Sequence, residues 1–433
     1  MFKCFQESLV NRHIYSILLI ILKPFVFIYF TLIKSRKNEA YKLRLGERFS
    51  SFRYPKLKEE SSILFHCASV GETIAAKDII NHIVNSSKNK NVIVTSTTPT
   101  GSEQVRKLFG DRVSHFYLPF DTPSTVKNFI TSLNIDVAFF METELWPNLI
   151  HFLKKRNAKI ILVNARLSNK SYKGYKKIGK LTSLMLQSLD CVLAQDENDK
   201  QRFISLGTNE NKVHVVGNVK YSNLTNNNDL YSAHQLRTLI IQNHENIIIA
   251  GSTHDGEDEI IISAFHEIKS KYNNSLLILA PRHQNRMDKI EKTLAKHQLN
   301  YSYRSTSDLP KKNDDVYIID TIGELSWLYG VADVAFVGGS MIPHGGQNPL
   351  EPARVGTPII MGKSNFNFSA ICNTMIKSGA MLIVNNGDDL KKHIFHLLKN
   401  KETSSTMVEK ASFIIEKNKY AIEKTKRFID SFI

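Results

Sequence analysis

Twelve short apolar runs, each of four or five residues and each followed by a longer amphipathic stretch, decide what this chain can fold into. Six come first, at residues 63–67, 92–96, 137–140, 160–163, 191–194 and 213–216. Six more follow, at 247–250, 276–280, 316–319, 334–337, 358–361 and 380–383. Unbroken apolar runs of strand length with helical stretches between them are the mark of parallel sheets, because crossover helices cover both faces. Between the two series, residues 222–229 read SNLTNNND, the best linker in the chain. No internal sequence repeat relates the series. The expectation is an α/β protein of two Rossmann-like parallel-sheet domains, residues 37–221 and 230–433, joined through 222–229. Such sheets bind ligands outside the carboxyl ends of their strands, and two facing sheets would share one cleft.

Ahead of the first series lies a different kind of segment. Sixteen of the twenty residues 14–33 are apolar, and as a helix they would extend ~30 Å, about one hydrocarbon core. No small-residue cleavage site follows, so a removable signal peptide is a poor fit. Six Lys or Arg lie between residues 34 and 48, which keeps the long C-terminal part on the cytoplasmic side. Residues 1–36 therefore read as a membrane anchor, with Lys23 and Pro24 interrupting its middle. The net charge of +16 is uneven: residues 1–60 hold twelve Lys and Arg against five Asp and Glu. A basic stretch beside an apolar run suits an anionic membrane surface. A nucleic-acid partner is not expected, since no zinc-finger or RRM signature appears and no basic helix stands apart. Cys4, Cys67, Cys191 and Cys372 are widely spaced, which excludes a zinc ribbon or disulfide scaffold and suits a reducing compartment.

The densest motif follows the run at 334–337: Gly338-Gly339-Ser340-Met341-Ile342-Pro343-His344-Gly345-Gly346-Gln347-Asn348-Pro349-Leu350-Glu351. Four glycines at a strand end let backbone approach a phosphate or ribose closely. A helix starting near Asn348 would aim free N–H groups at an anion and place Glu351 to accept from ribose hydroxyls. Neither the G-x-G-x-x-G nor the Walker spacing is present. Asp320-Thr321-Ile322-Gly323-Glu324 also follows a strand run, where it reads equally as a base or phosphate contact and as a capping box. Ala280-Pro281-Arg282-His283 sets a cation at a strand end, and Gly251-Ser252-Thr253-His254 adds hydroxyls and amides.

In the first series, Ser69-Val70-Gly71-Glu72 fits both a general base at a strand end and a capping box. Met141-Glu142-Thr143-Glu144-Leu145-Trp146 brings two carboxylates to another strand end, while Arg166 and Lys220 bring cations. A cation facing a leaving phosphate stabilises it electrostatically. No His, Asp and Glu cluster has metal-ligand spacing, so no metal or other cofactor is expected.

In order, HCASVGET, TSTTPTG, ETELWPNLI, NARLSNKSY, GNVKY, STHDGE, APRH and FVGGSMIPHGGQNPLEP closely resemble the landmarks of bacterial 3-deoxy-D-manno-octulosonic acid (Kdo) transferases, over roughly residues 14–385. The resemblance implies a GT-B fold, attachment to the cytoplasmic face of the bacterial inner membrane and metal-independent, inverting transfer of Kdo. CMP-Kdo would be the donor and the lipid A precursor, lipid IVA, the acceptor, with no obligate protein partner. By that resemblance Glu72 matches the family's proposed general base, and Glu142 and Lys220 match positions that stabilise the transition state. Pro281, Arg282, Ile322, Gly323, Glu324, Asn348, Pro349, Leu350 and Glu351 match segments that contact CMP. Cys67 and Gln347 stand where the family pattern has Ala and His, and Ile322 where Met is common, none of which removes a charge from the site. A different sugar-nucleotide enzyme, a UDP-sugar transferase or epimerase, is the competing reading of the same strand-end motifs.

Overall fold

Each of the twelve apolar runs overlaps a parallel strand, the last of them only at residues 382 and 383, and two further strands complete a pair of seven-stranded sheets. A computed structural model describes residues 2–49, 52–221 and 227–433. The first sheet holds β1 (Ser62–His66), β2 (Asn91–Ser96), β3 (Ser114–Tyr117), β4 (Ile135–Met141), β5 (Lys159–Ala165), β6 (Cys191–Ala194) and β7 (Val213–Val215), in the order β3-β2-β1-β4-β5-β6-β7. The second holds β8 (Asn246–Thr253), β9 (Ser275–Pro281), β10 (Tyr301–Tyr303), β11 (Val316–Ile318), β12 (Val334–Val337), β13 (Ile359–Gly362) and β14 (Leu382–Val384), in the order β10-β11-β9-β8-β12-β13-β14. Successive side chains of a strand feed opposite faces. In β1, Ile63 and Phe65 join one core while Leu64 joins the other, and all three are fully buried.

The chain divides into two units, Met1–Ser222 with Asn418–Ile433, and Asn223–Lys417. This corrects the expectation that 230–433 forms one domain, because the last helix, Ala421–Ile429, packs on the first unit. Its Ala421, Ile422 and Ile429 are buried beside Ile79, Ile83 and Val219. The connection that lets it dock is local: Gly217 takes φ +95°, a Cβ there would meet Ala421 and Asn418, and Asn418 Oδ1 accepts from the Asn218 amide at 2.7 Å. Of the expected linker, residues 222–226 lie outside the described residues, and a helix begins at Asn227.

The N-terminal segment is a helix, Phe2–Ile28, continuing as a π-helical turn, Tyr29–Lys34, and it runs through Pro24. Residues Arg12–Lys34 are long and apolar enough to cross a membrane, and Ile14, Ile17, Leu18, Ile21 and Phe25 are all at least half exposed. The helix is nonetheless bonded to the first unit. Arg12 and Ser16 donate to Asn148 Oδ1 at 2.8 and 3.0 Å, and the Tyr15 hydroxyl donates to Asp121 at 3.0 Å. Fifteen residues further along, Phe30 packs edge-on against Phe49.

Candidate active site

In the first sheet β1 and β4 are neighbours, but the chain leaves β1 toward β2 on one side and leaves β4 toward β5 on the other. Such a switch point opens a crevice at the strands' carboxyl ends, and the loops beyond β1 and β4 carry Glu72 and Glu142. Ser69 caps the helix Val70–Ala75, its hydroxyl accepting from the Glu72 amide at 3.3 Å. The Glu72 carboxylate folds back to accept from the Ala68 amide at 2.7 Å and the Ser69 hydroxyl at 2.9 Å. The candidate base is therefore also the acidic half of the capping box. Burial first, then the nearby Glu142 charge, push the Glu72 carboxyl above its ordinary value, against the pull of those two hydrogen bonds. A carboxylate raised in this way is a stronger base than an ordinary one.

Glu142 sits in the left-handed region at φ 55°, uncommon outside glycine, and its amide donates to the Val163 carbonyl at 2.9 Å. Its carboxylate accepts from Lys220 Nζ at 2.6 Å, the two side chains being 24% and 29% exposed. Lys220 is held in place from several strand ends. Its amide donates to Asn218 Oδ1 at 3.0 Å, Asn218 donates to Gln195 after β6, and the Val219 amide donates to Asn164 Oδ1 in β5 at 3.1 Å. Glu72, Glu142 and Lys220, 148 positions apart at the extremes, thus gather at one sheet edge. Glu144 does not join them: it accepts from Trp146 Nε1 at 3.0 Å and lies 3.6 Å from buried His66.

The second sheet has its switch point between β8 and β12. Here the glycine-rich loop does something the sequence reading did not foresee. Fully buried Glu257, first residue of the helix Glu257–Lys269, places its carboxylate among four amides. Oε2 accepts from His254 and Gly339 at 2.9 and 2.6 Å, and Oε1 from Ser340 and Met341, both at 2.9 Å. Gly338 is needed for a different closeness, since a Cβ there would stand 2.5 Å from the Ser252 carbonyl oxygen. The loop amides expected to cradle a phosphate are therefore already occupied by a protein carboxylate.

An open cavity of about 390 Å³ lies instead at the ends of β9 and β11. Pro281, Arg282, Ile322 and Gly323 line it together with Ser252 and His283, and Ile322 is 91% exposed. Glu324 is committed elsewhere: Arg304 donates to it at 2.9 Å, and the Thr321 hydroxyl also donates to it, so the capping motif works as a clamp on this loop. The Arg304 bonds hold Glu324 below its ordinary pKa. Asn348 accepts from the Leu350 amide at 3.1 Å at the start of the helix Leu350–Arg354, with Pro349 and Leu350 buried. Burial raises the Glu351 carboxyl, while the Asn348 amide, Arg354 and Arg282 pull it back, which places Arg282 and Glu351 within electrostatic reach of each other. His254 stacks on His344 at 3.9 Å between ring centroids and meets His283 edge-on at 5.7 Å. Burial and these neighbours, with Arg286 and Arg282, depress His254 to about 4, so a neutral imidazole sits in a basic setting.

Two Rossmann-like units whose strand ends carry a carboxylate–lysine cluster in one and an arginine-rimmed cavity in the other make the class plain: an α/β enzyme of nucleotide-activated substrates. Residues 43–223 match the family model of the 3-deoxy-D-manno-octulosonic-acid transferases (kdotransferases). The chain is 40% identical over 393 residues to the 3-deoxy-D-manno-octulosonic acid transferase of Haemophilus influenzae, covering 90% of this chain and 92% of that one. It is 31% identical over 340 residues to the enzyme of that name from Rickettsia typhi, covering 78% and 72%. It belongs to the Kdo transferases, GT-B-type glycosyltransferases. A solved UDP-GlcNAc 2-epimerase from Neisseria meningitidis, 14% identical with a TM-score of 0.51 over 86% of this chain and 99% of that one, shares the fold.

Proposed function

We propose that the chain transfers Kdo from CMP-Kdo to a hydroxyl of lipid IVA, with inversion and without a metal ion, at the cytoplasmic face of the bacterial inner membrane. Glu72 takes the proton of the acceptor hydroxyl as its oxygen bonds to the anomeric carbon and the bond to CMP breaks. Glu142 and Lys220 stabilise the charge that develops. Pro281, Arg282, Ile322, Gly323, Glu324, Asn348, Pro349, Leu350 and Glu351 contact the nucleotide, Arg282 as the cation for its phosphate. The observation that carries this reading is the convergence of Glu72, with its raised pKa, and the Glu142–Lys220 pair at one switch point. The helix attaches the enzyme in the plane of one leaflet rather than across the bilayer. Its bonds at residues 12–16 and its ring contact at residue 30 are separated by ~20 Å of helix, yet both lie on the same unit.

The test is transfer from CMP-Kdo, formed beforehand with Mg²⁺ and then treated with excess EDTA, to detergent-dispersed lipid IVA, read by mass spectrometry. A product heavier by Kdo, lost in Glu72→Gln while CMP still binds, is the expected result. Full turnover by Glu72→Gln removes the base, and absence of any product from CMP-binding protein removes the acceptor.

A further inference from the structure

A second cavity, of about 650 Å³, opens between the N-terminal helix and the helices Pro147–Lys155 and Gly179–Gln187. Its lining splits by chemistry. Arg12, His13, His151, Lys154 and Lys155 supply its basic side chains, while Ile150, Leu181, Leu184 and Met185 supply its apolar ones. No Asp or Glu is among the described lining residues; Asp190 lies 3.6 Å from Lys154 and 3.5 Å from Lys159, and Asp121 acts on Arg12 from outside the cavity. Burial, then the charges of Arg12 and Lys155, hold His151 near 4, a neutral donor among cations. One wall is the helix whose other faces expose Ile14, Ile17 and Leu18, so the opening lies where that helix would enter lipid.

We propose that this groove binds one anionic phospholipid of the membrane, its phosphate on His151, Lys154, Lys155 and Arg12 and an acyl chain along Ile150, Leu181, Leu184 and Met185. Only a molecule that is anionic at one end and apolar at the other satisfies both halves of the lining. The two lysines stand at the far end of the helix Pro147–Lys155, ~12 Å along its axis from the loop that carries Glu142. A phosphate held there is thus displaced from the reacting carboxylates. The ligand also bridges the N-terminal helix to the helix whose first turn is capped by Asp121, accepting from the Asn148 and Leu149 amides at 3.0 and 2.8 Å. The inference rests on the in-plane reading of the N-terminal helix.

The experiment uses the full chain in detergent, offered equimolar phosphatidylglycerol and phosphatidylcholine, with bound lipid counted by native mass spectrometry. One phosphatidylglycerol should be retained in preference to phosphatidylcholine and resist excess inorganic phosphate. Lys154→Gln with Lys155→Gln should lower its retention roughly thirty-fold, and Leu184→Trp, filling the apolar part, should abolish it. Both lysines are exposed, so the double variant should fold as the parent does. Equal retention of the two lipids, displacement by phosphate alone, or undiminished retention in either variant overturns the site. Flotation on phosphatidylglycerol vesicles is run in parallel: wild type that fails to float overturns the membrane reading, whereas wild type that floats but shows no preference overturns the lipid site alone.

Discussion

Glu257 offers the sharpest test of how the second unit is built. Its carboxylate serves four amides, two per oxygen, in a place with no solvent exposure. A hydrogen bond to a charged group contributes roughly 1.5–3 kcal/mol net, so four set an upper bound of about 6–12 kcal/mol. Water admitted to the vacated space recovers part of this, and Glu257→Ala should cost about 3–5 kcal/mol, the range for a broken buried charged network. Glu257→Gln is more informative because it keeps the shape. One oxygen can still accept from two amides, but the NH₂ group then faces the other two, donor against donor, and the expected loss is about 2–4 kcal/mol. The chain has two tryptophans, Trp146 in the first unit and Trp327 in the second, so a Trp146→Phe background lets Trp327 fluorescence follow urea unfolding of the second unit alone. A Glu257→Gln curve within about 0.5 kcal/mol of its parent, the scatter of ordinary surface changes, would mean that the four amides do not depend on the charge.

Other outcomes follow from single contacts. Because Glu72 is raised, the acid limb of the kcat/KM profile should lie above the ordinary carboxylate range; removing the neighbouring charge by Glu142→Gln should move the limb of the residual activity to lower pH, and movement upward would contradict the assignment. Gly338→Ala drives a Cβ into the Ser252 carbonyl and should destabilise the second unit by roughly 1–3 kcal/mol in the Trp327 assay, with no effect meaning that the two loops can part freely. Truncation after Lys417 removes Ile422 and Ile429, each worth about 1.5–3 kcal/mol of burial, uncovers Ile79, Ile83 and Val219, and should lower the unfolding midpoint reported by Trp146 while leaving that of Trp327 in place.

What could be read from the residues divides along physical lines. Central strands are buried on both faces, so they appear as apolar runs that no other pattern imitates. The edge strands β3, SHFY, and β10, YSY, are short and only partly buried, and their composition matches that of loops. The Glu142–Lys220 pair joins residues 78 apart, and only the quoted family motifs linked them beforehand. Glu257 stood in view within STHDGE, where an acidic residue at a helix start reads as a cap. Its other partners come 82 to 84 residues later, from a loop whose glycines advertised phosphate binding. The helix Ala421–Ile429 is amphipathic like any surface helix, and amphipathicity states that a face is buried without saying against which unit.

The two sheets differ in strand order, but each has a switch point beside its first strand and the two use it in opposite ways. In the first unit the crevice beyond β1 and β4 is left to the candidate site: Glu72, the proposed base, with both oxygens already oriented, and a carboxylate–lysine pair held from β4, β5 and the turn after β7. In the second, Glu257 closes the corresponding crevice by tying β8 to β12, and the amides that usually meet a phosphate in such folds are spent on structure. An anion in this unit would then be met by side chains one strand over, at the ends of β9 and β11, where Arg282 lines the open cavity beside His283. Arginine suits that substitution, since its planar fork offers a phosphate two parallel donors where a backbone nest would have offered several. If Arg282 holds the phosphate as proposed, affinity should be more exposed to salt and to a single substitution than at a glycine-loop site.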